Sequence, residues 1–574
     1  MFWTVASFLL FTALVGVIAY LRTRHDNLNE SDGYFLAGRG LSGWVIGSSM
    51  LLTNLSAEHL VGLNGQAYRG NLTSMAWETT PVIATIVMAL YFLPRYLRGA
   101  FTTLPEFFGE RYDEATRRMM SALLLMFYTL VILPAACLYP GAVAVNQIFD
   151  LQTVLGVTSA QSLWISVWFI GLVGAAYAVF GGLKAVAVSD SINGIGLLVA
   201  GLLVPLFGLL ALGDGSLAAG LEQLVGSHAE KFNAIGGPED PVPFSTIFTG
   251  MVLANLFYWG TNQAIVQRCL GAKSLAEAQK GVLLAGLFKL FVPLVMMVPG
   301  IIAFHRYGPT LAKADHAYPL LVADVLPSWL LGFFTAVLFG AVLSTYNSVL
   351  NSAATLFCHD LYRPCFRPEI DDRSLIRIGR RVTTIIAVFT MFAAPLVADA
   401  PEGLFQFVRR STGFFSIPMI TLVLVGFLTR RTSGLAARIA VVFYLVGYTL
   451  IVFVLREPLN FIHTMGLLFL AMTAIMLAIS ARWPRSQPYA LQLHARAVDL
   501  TPWKQGPLFA VLLLSALVFV YLLCSPLGLA SPHGIGPPLA AASGVLVLAT
   551  ASFVAGLRLF NRKPCVRDCR RLQP

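Results

Sequence analysis

Charge is scarce in this 574-residue chain. Only 12% of its residues are Asp, Glu, Lys or Arg, and 57% are hydrophobic; soluble domains carry about 25% charged residues. With a mean hydropathy of +0.75, lipid is its main solvent, and no stretch between the apolar runs is long enough for a soluble catalytic domain. The seven cysteines have neither metal-ligand spacing nor the pattern of a secreted disulfide framework. Cys565 and Cys569, in the basic tail, are expected to be reduced. No HExxH motif and no paired His and Cys cluster occurs, so a membrane-embedded metalloenzyme has no constellation to work with. The tail is also too short for a signalling domain, which argues against a sensor. The sequence therefore predicts no enzyme and no cofactor.

Apolar runs of roughly 20 residues, enough for a core of about 30 Å, recur from Phe2 to the segment that begins near Pro537. About 15 spans are expected. The first is read as an anchor: it lacks a basic start and a small-residue cleavage site, and LRTRH follows it directly. The net charge of +11 could suggest a nucleic-acid partner, but with the N-terminus outside most of the Lys and Arg fall in cytoplasmic segments. The excess is a signal of orientation in the membrane, and it leaves the basic C-terminus in the cytoplasm. No nucleic-acid partner is expected.

Two of the apolar runs are interrupted by polar residues where a membrane helix should be driest. LLTNLSAEHLVGLNGQA carries Asn54, Ser56, Glu58 and His59; ANLFYWGTNQAIVQR carries Asn255, Thr261, Asn262 and Gln263. Lipid cannot satisfy such groups, so they must line a cavity or meet other protein. These are the second and seventh spans, and each opens a block of five, 42–212 and 245–428. An odd separation gives the blocks opposite orientations, the layout of an inverted repeat with broken helices. Around this core lie an N-terminal span and cytoplasmic loop (1–41), an external loop (213–244), and peripheral spans with the basic tail (429–574).

DGYFLAGRGLSGW, SAEHLVGLNGQAYRG, Trp77 with Glu78, ANLFYWGTNQAIVQR, KSLAEAQKG and NSAATLF follow one another over about Tyr34 to Arg430. In order and spacing they resemble the sodium/solute symporter family, in particular its sodium/glucose and galactose branch and an uncharacterised bacterial subgroup of it. The resemblance implies an all-α integral membrane protein with a LeuT-type core of two inverted five-helix repeats. It also implies alternating access and solute import driven by sodium.

For the ion, Ser344, Ser348, Asn351 and Thr355 fall near one helical face. Helix packing through small hydroxyls accounts for that without any ligand. The resemblance instead implies a sodium site made from the carbonyls of Leu52, Leu55 and Ala341 and the hydroxyls of Ser344 and Thr345, an all-oxygen shell suited to a hard cation. Asp190 matches an acidic residue on the sodium exit path, or else is an interfacial carboxylate paired with Lys184.

For the solute, the resemblance implies a monosaccharide site of Asn54, His59, Glu78, Asn255 and Lys289, with Tyr258 as a cytoplasmic-side gate and Trp77 near the outside. Lys289 lies about 10 residues, roughly 15 Å, from the end of its span. Snorkelling does not serve at that depth, so Lys289 must meet water, solute or a carboxylate, with Glu78 the obvious partner. Glu58 is expected to brace the broken helix. Pro81 replaces a serine of the galactose pattern, and Arg409 replaces a solute-binding Gln. Arg409 and Arg410 either snorkel to the external interface, with Glu402 the only acid near in sequence, or Arg409 marks a site for an acidic or sulfated sugar. Amino acids and carboxylates are the other candidate solutes.

Overall fold

A computed structural model describes residues 2–562 apart from 24–38, 56, 100, 102, 150, 312–313, 400–403, 456–458, 492–497, 533 and 535. Ser56, Glu402, Cys565 and Cys569 lie outside the described residues, as does the side chain of Lys184. Among the described residues the chain is helical, with two isolated β-bridges, Leu41 to Ala272 and Ser274 to Asp499, in place of any sheet. An all-helical fold follows from the solvent: in lipid each helix satisfies its own backbone.

Among the described residues twelve helices are long and apolar enough to cross a bilayer, and the pair Leu275–Lys289 and Val292–Thr310, bent by 46° at its break, makes one more. Two interrupted helices complete the set, Gly43–Asn54 with Ala57–Arg69 and Gly250–Gly260 with Gln263–Leu270. Their halves are too short to span alone. With each pair taken as one crossing, the total reaches the expected 15. Ser159–Leu212 is helical throughout its 54 residues, which laid straight would run about 81 Å. It supplies two crossings, Ser159–Val179 and Val188–Leu212.

The connecting segments gather at two ends. At the basic end, Leu41 N–H donates to Gly271 O (3.0 Å) and Leu275 N–H to Asp499 O (2.8 Å). Arg111 Nε donates to Gly426 O (2.7 Å), Arg117 Nε to Asp360 (2.7 Å), and Arg438 reaches Asp113 (2.5 Å). At the opposite end, Lys231 Nζ donates to Tyr68 O and Gly70 O, both 2.9 Å. It thereby satisfies the last carbonyls of the first interrupted helix and places a cation at the negative end of its dipole. This sorting of segments agrees with an alternation of crossings.

Small residues let the helices approach closely. A Cβ on Gly300 would stand 2.1 Å from Asn64 O, and one on Gly250 2.0 Å from Ile462 O; Gly300 N–H also donates to Asn64 Oδ1 at 2.8 Å. Gly300→Ala is expected to lower thermal stability in detergent by about 1–3 kcal/mol through overpacking. Gly556→Ala, at a position with open space around it, should leave the unfolding midpoint unchanged or slightly raised.

Candidate functional site

Three helix breaks meet in the middle of the molecule. In the first, Leu55 N–H closes the last bond of its half onto Leu51 O, and Leu55 then turns extended (φ −76°, ψ 91°). In the second, Thr261 and Asn262 leave the helix, and Asn262 Oδ1 caps the next half by accepting from Ala264 N–H at 3.0 Å. Tyr128 fixes that cap: its hydroxyl lies 2.5 Å from Asn262 Oδ1 and 3.1 Å from Ala264 N. The third break, not evident from the sequence, follows Lys289. Pro293 stands in the first turn of the helix that resumes at Val292, where proline is tolerated because an N–H there has no partner to lose.

Lys289 is wholly buried. Its ammonium bonds to the Glu78 carboxylate and to Asn54 Oδ1, so the first and third breaks are joined through one side chain. Glu78 also lies 3.4 Å from His59 Nε2. His59 is 2.9 Å from Arg409 Nη2, which stands 3.4 Å from Glu58 Oε1, and the guanidinium lies 5.2 Å from the centre of the Trp77 ring. Arg409 is thus turned into the protein. Among the described residues the two acids Glu58 and Glu78 face two cations, Lys289 and Arg409, and in their ordinary ionised forms the charges sum to zero.

A cavity of about 40 Å³ adjoins this network, walled by Asn54, Glu58, His59, Tyr258, Asn262 and Arg409 with Phe127 and Tyr128. Tyr258 and Asn54 both line it. Trp77, Glu78, Asn255 and Lys289 stand outside the cavity wall. Asn255 Nδ2 donates instead to Thr80 Oγ1 (2.7 Å) and Met251 O (3.1 Å). The space holds a few waters, so a hexose enters only after the surrounding helices part.

Beside the cavity, Thr345 Oγ1 donates to Thr53 O (3.1 Å) and Ala341 O (3.2 Å). The latter carbonyl is one of those expected at the ion site. Leu52 and Leu55 are buried there. Ser344 Oγ is buried without a hydrogen bond and faces Asp190. Among the described residues Asp190 pairs with Arg268; the alternative pairing with Lys184 falls on a side chain outside them. Arg268 Nη2 is 3.1 Å from the Asp190 carboxylate, Nε donates to Ser49 Oγ at 2.7 Å, and further bonds reach Ser348 Oγ and Ala264 O. Ser49 itself donates to Asp190 at 2.9 Å. Of the other hydroxyl-face residues, Thr355 accepts from Gln267 (3.2 Å), and among the described residues Asn351 makes no side-chain hydrogen bond.

The family model described as "Sodium:solute symporter family" matches residues 34–447. The chain belongs to this family. It is 44% identical over 90% of both chains to an uncharacterised symporter, YidK, of Escherichia coli K12. To the sodium/glucose cotransporter of Vibrio parahaemolyticus it is 31% identical, over 75% of this chain and 81% of that one. A Na⁺-coupled sialic acid symporter, solved substrate-bound and outward-open, has the same fold, with a TM-score of 0.72 at 18% identity over 85% of this chain and 99% of the other. The protein is a multi-pass, sodium-coupled solute symporter with a LeuT-type core; it is a transporter and not an enzyme.

Arg268 and Tyr128 were not read from the sequence as site residues. An arginine inside the apolar run AIVQR was a signal for the first, whereas nothing marks Tyr128 among the other aromatic residues. Arg268→Met strands a buried carboxylate and should cost about 3–5 kcal/mol. The double variant Arg268→Met/Asp190→Asn should recover part of that loss, read as unfolding midpoints of the purified symporter.

Proposed function

We propose that the symporter imports a neutral monosaccharide, such as glucose or galactose, together with Na⁺. The observation that carries this reading is the charge-balanced network of Asn54, Glu58, His59, Glu78, Lys289 and Arg409 against the cavity, with the Tyr258 ring at its wall. A hydroxyl-rich solute needs many donors and acceptors and an apolar face to lie on. The Lys289 ammonium and the Glu78 carboxylate can each trade a mutual bond for a sugar hydroxyl without leaving an uncompensated charge.

An acidic or sulfated sugar is the second reading, and Arg409 at the cavity wall is its support. Charge balance weighs against it, because an anion taken up beside Arg409 also meets Glu58 at the same guanidinium. Coupling differs between the two. One Na⁺ moving down ~100 mV contributes about 2.3 kcal/mol, and a tenfold Na⁺ gradient about 1.4 kcal/mol. A neutral sugar could then accumulate on the order of several hundredfold. A monoanion carried with one Na⁺ loses the first contribution.

In the mechanism, Na⁺ binds between the first break and the helix Ser328–Leu356 through the carbonyls of Leu52, Leu55 and Ala341 and the hydroxyls of Ser344 and Thr345. For Thr345 this means releasing its bond to Thr53 O. Ordering the break sets Asn54, and with it Tyr258 and Lys289, for the solute. Na⁺ leaves past Asp190, where it competes with the Arg268 guanidinium. Residues 42–212 and 245–428 form the two repeats, and the basic end faces the cytoplasm of a bacterial cell, with the N-terminus outside.

Counterflow of radiolabelled neutral and acidic sugars into proteoliposomes, with and without Na⁺, tests the reading. Na⁺-dependent exchange of a neutral hexose is expected; exchange of acidic sugars alone would replace it with the second. Ser344→Ala should raise the Na⁺ concentration needed for half-maximal uptake before it alters sugar preference, and the reverse order of effects would remove Ser344 from the ion site. Glu78→Gln should reduce sugar uptake at least tenfold, since it leaves the Lys289 charge uncompensated.

A further inference from the structure

A cavity of about 700 Å³, far larger than the central one, opens at the basic end of the molecule. Its wall includes Arg95, Arg98, Arg430, Phe427 and Tyr489, and among the described residues no Asp or Glu. A second cavity of about 510 Å³ shares Thr429 and Arg430 with it and adds Arg431. None of these four arginines forms an ion pair among the described residues. Arg95 lies over the Tyr91 ring at 3.6 Å and donates to Tyr91 O at 2.6 Å. Of the acids close by, Glu110 accepts from the wall residue Tyr489 (3.3 Å), and Glu277 takes Gly43 N–H (2.7 Å) and Lys280 (3.0 Å). Four cations around joined hollows with no carboxylate in the wall make a site for an anion. The fork of a guanidinium suits the oxygens of a phosphate.

The surroundings point to the source of that phosphate. Leu428 is 72% exposed, Leu477 47% and Trp483 58%, and these apolar side chains flank the second cavity where the spans Phe407–Leu428 and Phe461–Arg482 end. Exposed leucines and a tryptophan at span ends belong against acyl chains and headgroups, so the hollows open at the height of the lipid phosphates. Basic pockets between helix ends on this side of a membrane attract anionic headgroups.

The position also gives the site a consequence. The span Leu72–Gly99 carries Trp77 and Glu78 near one end and Arg95 and Arg98 at the other. Leu275–Lys289 has Leu275 in the cavity wall and Lys289 at its far end. The span Phe407–Leu428 has Arg409 near its start and Phe427 in the wall. The three helices that bring Glu78, Lys289 and Arg409 together thus have their opposite ends around one anion site. A roof from the 498–503 segment ties two of them further: Trp503 N–H donates to Gln279 Oε1 (2.7 Å), and Gln279 Nε2 donates to Ala89 O (2.9 Å).

We propose that this basic hollow binds the phosphate of an anionic phospholipid headgroup, and that the bound lipid sets the spacing of the three helices and hence the rate of transport. The test uses the full-length protein and an Arg98→Gln/Arg430→Gln variant. Both positions are exposed and lie outside the central network. Native mass spectrometry in detergent, with phosphatidylglycerol or phosphatidylethanolamine added, should show phosphatidylglycerol retained by the wild type and at least fivefold less by the variant. Inorganic phosphate at millimolar concentration should not displace it. Equal retention by both proteins overturns the proposal, and displacement by inorganic phosphate replaces the lipid with a soluble anion. Unfolding midpoints in lipid-free detergent should match, which separates a lost site from a lost fold. If the double variant is unstable, each single variant carries the same comparison. Na⁺-driven solute uptake in vesicles with and without phosphatidylglycerol supplies the second readout: the wild type should respond and the variant should not, and an equal response in both removes the link to transport.

Discussion

An ammonium held at the depth of the bilayer centre is the constraint on which the core depends. Lys289 has no route to water through its own stem, so a carboxylate and an amide oxygen must be brought to it from other helices. Glu78 and Asn54 supply them, and two of the three groups stand where regular helix is given up. Asn54 is the last residue before the first break, and Lys289 is the last before the third. The charge and the breaks belong together, since unwound backbone at membrane depth persists only where protein or a polar cavity surrounds it.

The same logic recurs a short distance away with different chemistry. Arg268 and Asp190 are both buried and are bridged by Ser49, with Ser348 on the guanidinium. Such a pair adds little net stability over an apolar packing of equal volume, yet breaking it is costly. Its elements are the first broken helix, the second broken helix, the span carrying Asp190 and the helix of Ser344. It therefore ties these elements together. On the proposed exit path for Na⁺, Arg268 is a fixed competitor for Asp190, since it can only exchange that carboxylate for other oxygens.

Much of this was legible from the chain. The span count rests on apolar length, which lipid enforces, and polar residues inside two of those runs located two of the breaks. Depth required that Lys289 meet water, solute or a carboxylate, and the family resemblance offered Glu78 as the obvious partner, which the structure pairs with it. What escaped was local and three-dimensional. The break after Lys289 has ordinary apolar residues around it, and Pro293 reads as readily as a kink as a break. Asn255 shares a polar interruption with Asn262, but one turns to Thr80 and the other caps a helix; spacing does not decide which. Arg409 reads from sequence either as a cation snorkelling to the external interface or as the mark of a site for an acidic or sulfated sugar, and only the fold brings Glu58 and His59 to it.

The two ends of each core helix then have different tasks. At the centre, polar groups satisfy one another so closely that the cavity is smaller than a sugar, and a solute must displace protein–protein bonds to enter. At the basic end, arginines stand around open hollows without carboxylates, where repulsion among them favours spreading the helices. A rigid helix transmits a change in spacing at one end to the other, so whatever neutralises Arg95, Arg98 and Arg430 alters how readily Glu78, Lys289 and Arg409 separate. The central network and the basic end are in this sense opposing springs on the same three helices, one closed by charge pairing and the other held open by its absence.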